Sequence, residues 1–169
     1  LPKPIRTSEI IIGKCLGLTF TTIVVTLLSV AALFAILAFK GEHSFYLPIL
    51  VSVFLSTLES VLIILISILF SGLTSPILSA IYTVAIFLAG HSSDALRAIF
   101  IRSEYPFAQL VAKVGYYIFP NLEKFNIRND IIYGLLPGPL LFILTILYAL
   151  CYIILVFLLA QLMFKKKDF

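Results

Sequence analysis

The sequence predicts an all-α integral membrane protein with about four transmembrane helices, and two observations support this fold class. Hydrophobic residues make up 62% of the 169 residues and charged residues only 12%, whereas average usage is about 45–50% and about 25%. Long runs without a single charge recur along the chain, separated by short polar segments. A soluble domain of this size could not bury so much apolar surface, so we expect lipid to cover it.

Residues 1–14 form a short basic segment that we call the foot, and it leads into the first predicted span at residues 15–39. The 25 residues of that span carry no charge. As a helix they extend about 37 Å, enough to cross a hydrocarbon core of about 30 Å with tilt. We expect the foot to contain a cytoplasmic interfacial helix that bends into the span near Gly13 and Gly17.

Two further spans are predicted at about residues 47–70 and 77–90. The polar turn KGEHSFYLP separates the first span from the second. The short break SGLTSP, which has no charge, separates the second from the third. Residues 15–90 are therefore expected to form three transmembrane helices joined by short connections.

Residues 91–130 are the only long region that is not plainly transmembrane, and we expect two extracytoplasmic amphipathic helices there. After Pro106 the apolar positions follow the i, i+3, i+4, i+7 spacing of one helix face. This stripe consists of Phe107, Leu110, Val111, Val114 and Ile118. Such helices lie in the membrane interface or cap the bundle.

Residues 131–164 form a charge-free run of 34 residues. As one straight helix this run would extend about 51 Å, too long for a simple span. Glycines and prolines between residues 134 and 139 interrupt it. We expect a broken entry segment, a last transmembrane helix at about residues 140–164 and a basic tail at 165–169. Lysine and arginine concentrate near both termini, which predicts that both are cytoplasmic and that residues 91–130 lie outside.

Few residues in the sequence are candidates for chemistry. His43 and His91 each stand alone beside the end of a span, and Cys15 and Cys151 have no partner at metal-ligand spacing. No glycine-rich phosphate loop of the Walker type is present, so this chain is not expected to hydrolyse ATP. We assign no catalytic, cofactor-binding or metal-binding residue. The basic residues also do not form the patch that nucleic-acid binding requires.

Glu59 is the most unusual single residue, because it is a carboxylate near the middle of the second span. Such a group is costly in the bilayer and normally faces the bundle interior or a partner. One interpretation is a coupling or transport-path group. The other is a structural glutamate packed on nearby hydroxyl groups, those of Ser56, Ser60 and Ser79.

Residues 4–17, which run from the foot into the first span, have the sequence PIRTSEIIIGKCLG. This sequence resembles the stretch that follows the cytoplasmic coupling helix of ABC-2 type permeases. The similarity is to the branch that includes nitrous-oxide-reductase maturation permeases and gliding-machinery permeases. Other similar segments are the FSGLTSP break after the second span, the LAGH end of the third span and the segment FPNLEKF. The front half of such a permease is missing from the sequence, which indicates a C-terminal fragment or a split subunit.

The resemblance implies a permease subunit of an ATP-driven exporter or machine in the bacterial cytoplasmic (inner) membrane. ATP and Mg²⁺ would bind to a partner ATPase subunit, and a second permease copy, identical or different, would complete a dimer. The contact with the ATPase would involve Arg6, Ser8, Glu9 and Lys14. The extracytoplasmic helices would form a lid that includes Phe107, Val111, Pro120 and Asn121.

Two other classes of function are open from the sequence. A non-transporting scaffold subunit of a larger membrane complex fits spans whose interior is apolar except for Glu59. A membrane-embedded lipid-modifying enzyme is disfavoured by the absence of a cluster of His, Asp or Cys residues in the sequence. The basic residues of the foot also have a simpler interpretation, which is ordinary anchoring at the cytoplasmic surface.

Overall fold

The structure is a computed structural model that describes residues 7–127, 130–131, 133 and 136–167. Every regular element in this part of the chain is helical, which confirms the predicted all-α class. The elements in chain order are α1 (Thr7–Lys40), α2 (Tyr46–Leu73), α3 (Pro76–His91), α4 (Ser93–Arg102), α5 (Pro106–Ile118), a short 3-10 helix (Leu122–Phe125) and α6 (Pro139–Lys167).

Helix α2 is the centre of the bundle and contacts α1, α3, α6 and the 3-10 helix. No residue between positions 55 and 70 is exposed. Apolar side chains on several faces of α2 are fully buried, among them Leu55, Leu62 and Leu65. Leu122 and Phe125 of the 3-10 helix belong to the same hydrophobic core. A helix whose apolar residues extend over most of its circumference is expected in such a central position.

Three helices are long and apolar enough to cross a membrane alone, namely α1, α2 and α6. Helix α3 has only 16 residues and extends about 24 Å, which is less than a hydrocarbon core of about 30 Å. It qualifies as a span only together with α4, at an angle of 61° between the two. The described chain therefore has three to four candidate spans, and the predicted third one belongs to a bent helix pair that forms either a broken span or a re-entrant loop.

Two contacts between α2 and α6 show the relative direction of these two helices. The rings of Phe54 and Phe142 lie 6.0 Å apart near the N-termini of α2 and α6. The ring of Phe164 packs against Gly72 near the C-termini of the same two helices. The two helices therefore run parallel, so the intervening chain must return to the opposite end of the bundle before α6 begins.

Helix α1 runs antiparallel to α2 and is joined to it by a short turn. Gly41 permits this turn with a φ of 75°, in the left-handed region that favours glycine. Just beyond the turn the ring of Tyr46 lies 4.7 Å from the ring of Phe34. The N-terminus of α1 therefore lies at the same end of the bundle as the C-termini of α2 and α6. We call this end the foot end.

The described part of the foot and the first span form one continuous helix, which differs from the expected interfacial helix and bend. The helix passes through Gly13 and Gly17 without interruption. Each glycine destabilises a helix interior by only about 1 kcal/mol, and neither has a neighbour that forces a bend. Ile11 of the foot is fully buried in the hydrophobic core. The foot is therefore part of the packed bundle.

Helices α4 and α5 pack against each other, with Leu96 of α4 in contact range of Gly115 of α5. The predicted apolar stripe of α5 faces outward, since Phe107 is 79% exposed and Val111 is 54% exposed. The inward face carries the small buried residue Ala112 instead. Small residues allow two helices to approach closely, which explains why the narrow face packs and the wide apolar face does not.

Several predicted features lie wholly or partly outside the described residues. These are residues 1–6 of the foot, much of the entry segment before α6, and the end of the basic tail at 168–169. The last helix begins at Pro139, close to the start expected at residue 140.

Candidate functional site

Three ionisable side chains that are far apart in the sequence meet inside the bundle. The Nε2 atom of His91 lies 2.7 Å from Oε1 of Glu59. The Nδ1 atom of His91 lies 3.4 Å from Oε2 of Glu123. Glu59 is near the midpoint of α2, His91 is the last residue of α3, and Glu123 lies in the 3-10 helix. We call these three residues the Glu–His–Glu cluster.

The packing of α3 on α2 brings His91 to the level of Glu59. Near the foot end, the hydroxyl of Ser79 donates a hydrogen bond of 3.1 Å to the backbone carbonyl of Ser67. This bond fixes the register of two antiparallel helices. Since both helices rise equally per residue, the 12 residues that follow Ser79 carry His91 up to the middle of α2.

The 3-10 helix reaches the cluster because the chain passes very close to α3. A Cβ atom at Gly90 would lie 2.6 Å from Cγ of Leu122 and 2.7 Å from the backbone oxygen of Pro120. Only glycine leaves room for this approach. On the other side, the backbone N–H of Asn121 donates to the hydroxyl of Tyr148 on α6 at 2.7 Å. Residues 120–125 are thus held between α3 and α6.

The imidazole of His91 lies between two carboxylates. Both of its ring nitrogens face carboxylate oxygens. Glu123 accepts a second hydrogen bond from the side-chain amide of Asn126 at 2.9 Å. The side chains of Glu59, His91 and Glu123 are 15%, 26% and 31% exposed. Partial burial strengthens such charge-assisted contacts relative to water.

A cavity of about 540 Å³ adjoins the cluster. Helix α2 contributes Glu59 and a row of hydroxyl side chains to its wall, and aromatic rings face it from α3 and the 3-10 helix. The lining includes Ser52, Ser56, Ser60, Phe87 and Phe125. A second cavity of about 330 Å³ lies on the other side of the 3-10 helix and shares Asn126 with the first.

Glu59 has a partner that neither sequence interpretation named, which is His91. Two of the three serines expected to support it donate their hydroxyls to backbone oxygens instead. Ser60 donates to the backbone oxygen of Ser56, and Ser79 donates to Ser67. The sequence analysis expected His91 to stand alone and missed its role. A buried carboxylate such as that of Glu59 needs a partner, and a histidine at the end of a short apolar helix was a candidate for that partner.

The other predicted site residues are not gathered into one place. Glu9 and Lys14 are exposed on the first turns of α1, Arg6 lies outside the described residues, and nothing is described for the side chain of Ser8. Phe107 and Val111 are exposed on α5, away from the cluster. Among the predicted lid residues, Pro120 and Asn121 lie beside it. Within the described chain, Oδ1 of Asn121 is buried without a hydrogen-bond partner.

The cluster joins three elements of the bundle, because both ring nitrogens of His91 face carboxylates from other elements. Within the described residues, no group of three or more His, Cys, Asp or Glu side chains is arranged to hold a metal ion. The arrangement can bear charge and can connect α2, α3 and the 3-10 helix.

Fold and site together define a helical membrane-protein bundle with a charged cluster in its interior. Comparison with known proteins does not narrow this class, since no family model, curated protein or solved structure matches the chain.

Proposed function

We propose that the chain is the membrane-spanning subunit of an ATP-driven machine of the ABC-2 type, which a partner ATPase moves through the foot. The observation that carries this proposal is the continuity of α1 from Thr7 to Lys40, with Ile11 fully buried in the core. A force applied at the start of α1 would reach the bundle through a rigid helix. The foot sequence, PIRTSEIIIGKCLG, supports the same function by its resemblance to ABC-2 permeases.

The exposed charges of the foot supply a surface for the partner. Glu9 and Lys14 are exposed at the foot end, whereas Ile11 between them is buried. One face of the helix is therefore anchored in the bundle and the other is available for contact. ATP and Mg²⁺ would bind to the partner ATPase, and a second copy of the permease would complete the assembly in the bacterial inner membrane.

The Glu–His–Glu cluster supports the function of a moving bundle in preference to that of a static scaffold subunit. The scaffold interpretation depended on an apolar interior, whereas His91 and Glu123 join Glu59 there and a cavity adjoins them. A change in the register of α2 against α3 would lengthen the bond between Glu59 and His91. The cluster is thus placed to hold residues 120–125 in one position until α2 moves.

The test is the double change Arg6→Ala with Glu9→Ala. Losing one or two interface pairs should lower the amount of ATPase retained, or substrate-stimulated ATP hydrolysis, by about five- to a hundred-fold. The spans should keep their thermal stability because Glu9 is exposed. Retention and hydrolysis would be measured on the complex purified in nanodiscs.

The matched control is Lys40→Ala with Glu42→Ala, which removes one basic and one acidic residue at the opposite end of α1. This control should retain the ATPase at the wild-type level. Equal loss in both double variants would show a general effect of charge. Wild-type retention and hydrolysis in the foot variant would show that the foot is only a membrane anchor.

A further inference from the structure

The cluster contains more acidic groups than basic ones. Two carboxylates share one imidazole. In the described chain neither carboxylate forms an ion pair with a lysine or arginine. The nearest basic residue in sequence, Lys124, instead places its ammonium 4.2 Å from the ring centre of Tyr148. Carboxylates inside a membrane bundle are costly unless a cationic group lies beside them, so a further cation would stabilise this arrangement.

The cavity beside Glu59 offers hydrogen-bond acceptors for such a cation. Ser52 and Ser56 are spaced i, i+4 and line the cavity from the same side of α2 as Glu59. Both side chains are half-buried. Ser60, one turn further, donates its hydroxyl to the backbone oxygen of Ser56. Serine hydroxyls and the carboxylate of Glu59 therefore line the same cavity.

Two aromatic side chains also line the cavity. Phe87 of α3 and Phe125 of the 3-10 helix both line it, and the ring of Phe87 lies 4.5 Å from the ring of His91. Aromatic faces attract organic cations, and quaternary ammonium groups in particular. The volume of about 540 Å³ falls within the range of about 300–1,000 Å³ typical of small-molecule sites, and it is much larger than a bare ion requires.

We propose that this cavity is a binding site for an organic cation with an ammonium group, held by Glu59, the serine hydroxyls and the two phenylalanine rings. The inference does not depend on the proposed coupling to an ATPase. The same chemistry occurs in a free amine and in the headgroup of an amine-bearing lipid. Both sources fit a cavity within a membrane bundle, and the experiment below distinguishes them.

The test compares choline with 3,3-dimethylbutan-1-ol, an uncharged molecule of the same shape, on the full chain in nanodiscs of phosphatidylglycerol. Binding is measured by titration calorimetry and by the shift in unfolding temperature. Choline should bind at least about tenfold more tightly than the alcohol, a difference that a modest charge contribution supplies. Equal binding of the two molecules would overturn the proposal.

Variants locate the site. Glu59→Gln keeps the shape of the side chain but removes its charge, so the preference for choline should disappear. Glu104→Gln, which changes an exposed carboxylate in the turn between α4 and α5, should keep it. A preference for choline that survives Glu59→Gln would overturn the proposal. If Glu59→Gln does not fold, Phe87→Leu decides the matter, since wild-type choline binding without that ring would also contradict the site.

The lipid source is tested by replacing phosphatidylglycerol stepwise with phosphatidylcholine. If the headgroup is the occupant, added choline should bind progressively more weakly, and phosphatidylcholine should copurify with the wild-type chain but not with Glu59→Gln. If a free amine is the occupant, the choline affinity should be the same in both lipids. Either result supports a site for an ammonium group and assigns its source.

Discussion

His91 holds three elements of the bundle together with one imidazole ring. It contacts the carboxylates of Glu59 and Glu123, and its own ring packs against Phe87. Each carboxylate lies 32 residues away from it along the chain. Removing the ring would leave two carboxylates without the imidazole between them. Like charges in a partly buried site repel, so the whole cluster depends on this side chain.

This dependence predicts the outcome of a double-mutant cycle. His91→Leu should lower the free energy of unfolding by about 1–3 kcal/mol, because it leaves partly buried carboxylates without their partner. The combined change Glu59→Leu with His91→Leu should recover most of that loss, since a buried ion pair can often be replaced by packed apolar residues. Unfolding in mixed micelles, followed by circular dichroism, provides the measurement.

A double variant as unstable as the sum of its single changes would contradict this account. Function can then be separated from stability with Glu59→Gln. In the assembled complex this variant should fold but show reduced substrate-stimulated ATP hydrolysis if the cluster takes part in the movement of the bundle. Full activity in Glu59→Gln and in Glu59→Leu would remove Glu59 from the mechanism.

Residues 120–125 form a segment whose position is fixed by its neighbours α3 and α6. Leu122 and Phe125 are buried in the core, and Gly90 leaves only enough space for the backbone of Pro120 to pass. Backbone atoms cannot swing aside as a flexible side chain can. Any side chain at position 90 would therefore displace the segment and separate Glu123 from His91.

Gly90→Ala should accordingly destabilise the bundle by about 1–3 kcal/mol, the usual range for overpacking a filled site. The matched control is Gly13→Ala in α1, where a Cβ atom meets nothing within 4 Å. That change should be neutral or stabilise α1 by about 0.5–1 kcal/mol through helix propensity. Thermal unfolding of the two variants in the same detergent checks both values.

The position of the segment can be followed separately from stability. A cysteine at Asn126, in a chain whose native cysteines are serine, should react faster with maleimide when Gly90→Ala is present. The reason is that displacement of the 3-10 helix opens the cavity that Asn126 lines. Unchanged reactivity together with wild-type stability would show that the close approach at Gly90 is dispensable.

The molecule as a whole exposes an unusually apolar surface, as a membrane protein should. Leu16, Phe20 and Leu28 of α1 are 64%, 69% and 68% exposed. Three hydroxyls on the same helix are satisfied locally, since Thr21, Thr22 and Ser29 each donate to the carbonyl four residues earlier. Such local bonds keep these side chains compatible with lipid. The N-terminus of α1 and the C-termini of α2 and α6, which meet at the foot end, would then lie on one side of a membrane.

Cysteine labelling tests which side that is. The concentration of basic residues near the termini predicts that the foot end is cytoplasmic. In a chain without native cysteines, an impermeant maleimide added outside should label a cysteine at Glu42 or Glu104 but not one at Lys14; all three positions are exposed in the bundle. Labelling of Lys14 alone would reverse the orientation.

The helical class and the apolar spans could be read from the sequence because they follow from local properties. In lipid each backbone hydrogen bond must be made within its own helix, so length and hydropathy are enough to predict a span. The expected starts of the second and last spans, at about residues 47 and 140, lie within one residue of Tyr46 and Pro139 in the structure. The glycines of the foot misled the prediction because glycine permits a bend without requiring one.

The cluster, the outward face of α5 and the burial of Ile11 were decided only by tertiary structure. Lipid and protein interior are equally apolar, so a hydrophobic pattern does not specify which face of a membrane helix meets another helix. That choice depends on small residues such as Gly90, which let segments approach, and on polar partners that must find each other. The position of Glu59 within a span predicted that it needs a partner. Only the packing of α3 on α2 could show that the partner is His91.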